Sequence, residues 1–139
     1  MDASPTTSTS RERLFETATR LFYSQGINAT GIDTVIAEAK AAKGSMYHHF
    51  RNKQALVEAY LQGQVAEWKR KSEAADVPTL SPPERVALLF SSVESDLTSG
   101  TFHGCPFTNA MVERPEDASI RSIVTEYRRT VAEHLSHLL

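Results

Sequence analysis

The chain has 139 residues, of which 40% are hydrophobic and 23% charged, with a formal net charge of −2. That composition fits a globular chain of one domain or two small lobes, and it excludes a disordered polyelectrolyte. The single cysteine, Cys105, excludes an internal disulfide, no run approaches the roughly 18 apolar residues of a membrane span, and a cytoplasmic protein is expected.

Residues 1 to 8 are polar, rich in Ser and Thr, and contain Pro5. They read as a disordered N-terminus. A first helix starts near Thr9, where Thr9 and Glu12 have the spacing of a capping box. Leu14, Phe15, Ala18, Leu21 and Phe22 form its apolar stripe, and Gly26 ends it. A second helix carries Ile32, Val35, Ile36 and Ala39 on one face, with Thr30 as its expected N-cap and Asp33 in its first turn. After Lys40 and Ala41 a third, short helix places Met46 and Phe50 on an anchoring face. Lys43, Ser45, Tyr47, His48 and His49 lie between and beside them. Two short helices joined by a tight turn, the second presented outward, are the arrangement that enters a DNA major groove.

A long helix is expected from about residue 52 or 53 to Ala75, with Leu56, Ala59, Tyr60 and Trp68 inward and Gly63 as an interruption. Ser81, Pro82 and Glu84 then signal a new helix start. Val86, Leu89, Phe90, Val93 and Leu97 give that helix an apolar stripe. Gly100 breaks it, another helix begins near Pro106, and a break at 115 to 118 precedes the last. There, Ile120, Ile123, Val124, Tyr127, Val131, Leu135 and Leu138 share one face. Nothing alternates with period two, so the fold class is all-α.

Charge divides along the chain. Residues 10 to 53 hold seven basic side chains against four acidic ones, and residues 54 to 139 hold eight against twelve. A basic head on an acidic body suits a DNA-binding lobe joined to a regulatory one.

The run A-K-G-S-M-Y-H-H-F-R-N-K-Q-A-L, residues 42 to 56, resembles the recognition-helix signature of the tetracycline-repressor (TetR) family of bacterial transcription regulators. R-E-R-L-F-E-T-A-T-R-L-F-Y-S-Q-G resembles that family's first helix. The resemblance covers residues 11 to 60. It implies a helix-turn-helix head over residues 9–53, followed by a linker helix and part of a regulatory domain over 54–139. It also implies a homodimer that represses transcription at a palindromic operator and responds to a small-molecule effector. Family members continue with two more long helices that pair with a second subunit. The chain lacks them, and the remaining apolar surface is expected on the last helix, at Val131, Leu135 and Leu138. An alternative reading is a truncated interaction module that pairs with a relative and prevents its binding to DNA. The family usually has glycine in the turn where this sequence has Lys40. If the same left-handed geometry is kept, lysine costs on the order of 1 kcal/mol there.

For DNA binding the candidates are Thr30, Lys43, Gly44, Ser45, Tyr47, His48 and Lys53. Ser45 and His48 suit base edges, while Tyr47 and Lys53 suit phosphates. Thr30 and the backbone of Gly44 are added because helix N-termini attract anions. His49 is expected to pack inward or cap the turn. Adjacent histidines on a helix point about 100° apart, so His48 and His49 do not converge on a metal, and no metal or cofactor is expected. Trp68, Phe90, His103, Phe107, Met111 and Tyr127 are candidates for an effector pocket, or equally for an ordinary core. Cys105 is read either as a redox sensor, its thiolate favoured at a helix start, or as a small buried residue. His103, Cys105 and Glu113 lack an oxyanion hole and an orienting third group, so no enzyme is expected.

Overall fold

The computed structural model describes residues 8–139. The expectation of a disordered N-terminus over residues 1 to 8 therefore lies outside the described residues, except for Ser8.

 Among the described residues there are seven helices and no strands: α1 (Ser10–Gln25), α2 (Ile32–Glu38), α3 (Lys43–His49), α4 (Lys53–Ala75), α5 (Pro82–Thr98), α6 (Pro106–Glu113) and α7 (Ala118–Leu138). The chain divides into two compact units, Met1–Tyr60 and Leu61–Leu139, so the division falls inside α4 rather than at its start.

In the first unit, α1 opens on Thr9. Its hydroxyl accepts from the Glu12 N–H at 3.1 Å, and the Glu12 carboxylate accepts from the Thr9 N–H at 3.4 Å. These two bonds satisfy donors that a helix start leaves without partners. Leu14, Ala18, Leu21 and Phe22 bury the inner face of α1. They form the first unit's core with Ile27, Val35, Ala39, Met46, Phe50, Leu56, Val57 and Tyr60. Each large side chain buried in this way contributes about 1.5–3 kcal/mol. The Phe22 and Tyr60 rings pack tilted, with centroids 5.7 Å apart.

The start of α2 differs from the sequence expectation. Its N-cap is Gly31, with no side-chain cap bond. Thr30 is only 1% exposed, and its hydroxyl donates back to the Gly26 carbonyl at 2.8 Å, with the Leu21 carbonyl at 3.4 Å. An inward hydroxyl closes the turn after α1, where it satisfies buried carbonyls.

The turn after α2 keeps the geometry that favours glycine. Lys40 has φ 53°, the one positive φ outside glycine among the described residues. The Lys40 N–H bonds the Ala37 carbonyl at 3.2 Å and the Ala41 N–H bonds the Ile36 carbonyl at 3.1 Å. These two bonds are those of a Schellman motif, with Lys40 in its left-handed position.

In the second unit, α5 and α6 each pack against α7. Ala75, Leu89 and Leu138 form a small buried cluster, flanked by Trp68, Val86 and Leu135. Leu138 is 1% exposed, so the expected bare surface at the end of α7 is not found there. Leu135 and Leu138 fall against the end of α4 and one face of α5 instead. The exposed apolar residues include Leu88, Phe90, Val93 and Leu97 of α5, together with Phe102 and Val112. Of the α5 stripe read from the sequence, only Leu89 is buried.

Candidate nucleic-acid interface

Seven residues make α3, and the helical period sorts them into two faces. Met46 is fully buried and Phe50, the C-cap, is nearly so. Between them Tyr47 is 49% exposed, and His48 and His49 are exposed as well. Lys43 and Gly44 are exposed, and Ser45 is half-buried. The anchoring pair thus turns the polar residues outward. A Cβ built at Gly44 would meet nothing within 4 Å, and the residue does not have positive φ. The head itself places no steric demand for glycine at that position.

His49 does not pack inward. It is exposed, and its ring meets that of His48 edge-on at 4.9 Å. Thr30 is brought near none of this chemistry through its side chain, because its hydroxyl is spent on the Gly26 carbonyl. Lys53 opens α4 and is half-buried. Among the described residues no group of three or more His, Cys, Asp or Glu side chains is arranged to hold a metal ion.

Polar residues of α1 hold α2 and α3, and the sequence reading passed over them. The Arg11 guanidinium sits over the Phe50 ring, 5.2 Å from its centroid, within the range of a cation–π contact. Arg13 reaches the turn after α2, and Arg20 pairs with Glu38 at 3.3 Å on an exposed surface. On a helix wheel these arginines look like a solvated charged face. Only the fold shows that all three bridge to the ends of other helices.

In the second unit the proposed pocket residues separate. Phe107 and Tyr127 stack with ring centroids 3.8 Å apart and planes 13° from parallel. Trp68 meets Tyr127 edge-on at 6.4 Å, and packs tilted against His134 at 5.4 Å. Burial, followed by the charge of the nearby Cys105, raises the Tyr127 phenol above its ordinary value of 10.0. Met111 is half-buried, while His103 is exposed and Phe90 is 61% exposed. Phe90 therefore lies on the outward side of α5 and does not share the buried aromatic group. His134, which the sequence reading missed, does join it. A shallow cleft lies nearby, lined by Ser72, Glu73, Asp76, His134, His137 and Leu138. His137 and Asp76 are bonded across it at 2.9 Å.

Cys105 is exposed and is the N-cap of α6, with Pro106 in the first turn. This excludes the reading of a small buried residue. The loop before it is fixed by Asn109, whose amide donates to the His103 carbonyl at 2.7 Å. Gly104, with φ 93°, leaves room for that side chain, which a Cβ would meet at 3.3 Å.

A family model described as bacterial regulatory proteins, tetR family, matches residues 14–60. The uncharacterized HTH-type transcriptional regulator YxaF of Bacillus subtilis is 51% identical over 43 residues, which are 31% of this chain and 22% of that protein. The HTH-type transcriptional repressor DhaR of a Mycobacterium species is 28% identical over 104 residues, 74% of this chain and 51% of that protein. The chain thus spans about half the length, or less, of these two curated relatives. Among solved structures, a TetR-family transcriptional regulator from Streptomyces coelicolor superposes with a TM-score of 0.87 at 32% identity, over 94% of this chain and 65% of that one. The reduced form of NemR from E. coli gives 0.81 at 26% identity, over 93% and 68%. Among the described residues, no helix is long and apolar enough to cross a membrane.

Proposed function

The chain belongs to the TetR family of bacterial regulatory proteins, and on that premise we propose that it regulates transcription by placing α3 in the major groove of an operator. The observation that carries this reading is the division of α3. Met46 and Phe50 are buried, while Lys43, Gly44, Tyr47 and His48 face outward. Ser45 and His48 reach base edges, and Tyr47, Lys43 and Lys53 bind phosphates. The open space at Gly44 lets a sugar-phosphate backbone come close to the start of α3. Thr30 contributes by shaping the turn, not by touching DNA.

One head contacts one half-site, so the acting form is a homodimer on a palindromic operator, with half-sites about 34–36 Å apart. A small-molecule effector bound beside Trp68, Phe107 and Tyr127 changes the separation of the heads and releases DNA. Repression is supported by the similarity to DhaR, a transcriptional repressor. Cys105 is a second input: its exposed thiol at the start of α6 is open to oxidants and electrophiles.

Selection from a random pool of DNA duplexes tests the main reading. Wild-type protein is expected to enrich a two-fold symmetric motif, and His48→Ala to shift which variants of it are preferred. A pool that shows no enrichment overturns the proposal. Trp68 is the only tryptophan, so its fluorescence reports the effector site. Ligands found by thermal shift are expected to change that emission. For the thiol, alkylation at neutral pH is expected to release DNA from wild type and not from Cys105→Ser. Alkylation without release removes Cys105 from the mechanism.

A further inference from the structure

The Schellman motif at the end of α2 satisfies the Ile36 and Ala37 carbonyls and leaves those of Ala39 and Lys40 to find other donors. Both lie at Arg13. Its Nε donates to the Ala39 carbonyl at 3.1 Å and its Nη2 reaches the Lys40 carbonyl at 3.5 Å. The same guanidinium donates through Nη1 to the Ser8 carbonyl at 2.8 Å. A planar fork of donors suits this task, since one side chain reaches several carbonyls in fixed directions. Lys40, between the two helices, is held in a left-handed conformation that glycine adopts without cost and lysine does not.

We propose that Arg13 is a positioning residue for α3: by holding the Ala39 and Lys40 carbonyls it keeps Lys40 left-handed and so sets the angle at which α3 leaves the turn. This rests on the reading of α3 as the DNA-contacting helix. Arg13 is one residue from the buried Leu14, so the core fixes where its stem begins. The guanidinium converts that fixed point into a fixed turn. A change in the angle of α3 displaces base contacts, which need aligned geometry. Phosphate contacts tolerate the change better.

The test compares Arg13→Ala, Arg13→Lys, Lys40→Gly and the double variant Arg13→Ala/Lys40→Gly with wild type, all as the full chain. Two readouts are taken. The first is hydrogen exchange at the Lys40 and Ala41 amides. Arg13→Ala is expected to speed exchange at both, with the amides of α1 unchanged. Unchanged exchange at Lys40 and Ala41 overturns the proposal whether or not the protein binds DNA. The second readout is affinity for a duplex selected by wild type and for an unrelated duplex of equal length. Arg13→Ala is expected to lose about tenfold on the selected duplex, in line with lost charge-assisted hydrogen bonds, and about twofold or less on the unrelated one. Arg13→Lys, which keeps the charge without the fork, falls between. Lys40→Gly in the Arg13→Ala background is expected to recover most of the loss, because glycine needs no help to hold the turn. Equal losses on both duplexes, or no recovery with glycine, overturn the proposal. If wild type selects no duplex, the DNA reading fails, and that outcome is separate from the exchange result at the turn.

Discussion

The two units spend their apolar residues differently. In the first, the inward residues of α1, α2, α3 and the start of α4 meet in one core, and the exposed large apolar side chain on α3 is Tyr47. In the second, α5 buries Leu89 and turns Leu88, Phe90, Val93 and Leu97 outward. Beside the small cluster around Leu89 and Leu138, polar contacts hold α5. Lys71 pairs with Asp96, and Arg85 donates to the Val77 and Leu80 carbonyls at 3.0 and 3.1 Å and to Asp76 at 3.3 Å. Arg85 therefore does for the loop before α5 what Arg13 does for the turn before α3. The difference is in what surrounds each arginine: a closed core beside Arg13, and a helix with an open apolar side beside Arg85. On the function proposed, a rigid reading head needs the first arrangement, and an adaptable body can tolerate the second.

The largest expected effects break this comparison most directly. Met46→Ala empties a fully buried site and should destabilise the protein by about 2–5 kcal/mol, read by chemical denaturation. Phe90→Ala on the outward side of α5 should stay within about 0.5 kcal/mol of wild type. Equal losses would mean that α5 is covered in solution and that the contrast between the units is false.

Thr30 comes next. Thr30→Val removes the hydroxyl that donates to the Gly26 carbonyl and should cost about 1–3 kcal/mol of stability. DNA affinity of the folded fraction should not change. If affinity falls while stability holds, Thr30 contacts DNA after all.

The smallest effect is a pH dependence. The folded chain keeps the Tyr127 phenol protonated to higher pH than an exposed tyrosine, chiefly through burial. Its contribution to stability is complete below pH 10.0 and is lost as pH rises through the folded value. The alkaline loss of stability should therefore be shallower in Tyr127→Phe than in wild type. Identical alkaline limbs would show that Tyr127 is solvated in solution.

Much of the architecture was legible in the sequence because its signals were local. The Thr9–Glu12 box, the end of α1 at Gly26, the start of α5 after Ser81 and the anchoring of α3 by Met46 and Phe50 each depend on a few neighbouring residues. The misreadings occurred where distant parts decide the outcome. Thr30 and Gly31 both suit a helix start, and only the position of the α1 carbonyls shows that Thr30 turns inward. Val86, Leu89, Phe90, Val93 and Leu97 have an ideal helical period, yet periodicity cannot say how wide a face the neighbouring helices cover. Leu138 has the same period, and α4 and α5 cover it. Arg13 was invisible for a related reason. A charged residue beside a buried stripe looks solvated until the partner carbonyls, 26 and 27 positions along the chain, are placed.

The central claim is that the outward side of α3 meets DNA, and Tyr47 tests it most directly because its exposure separates binding from folding. The measurement is a salt titration of affinity, by mobility shift or anisotropy, for wild type and Tyr47→Ala on a selected duplex and on an unrelated one. The account predicts that Tyr47→Ala melts within about 0.5 kcal/mol of wild type and binds both duplexes more weakly by a similar factor, since a phosphate contact carries no sequence information. Unchanged affinity for both duplexes would contradict the docking of α3 in the groove.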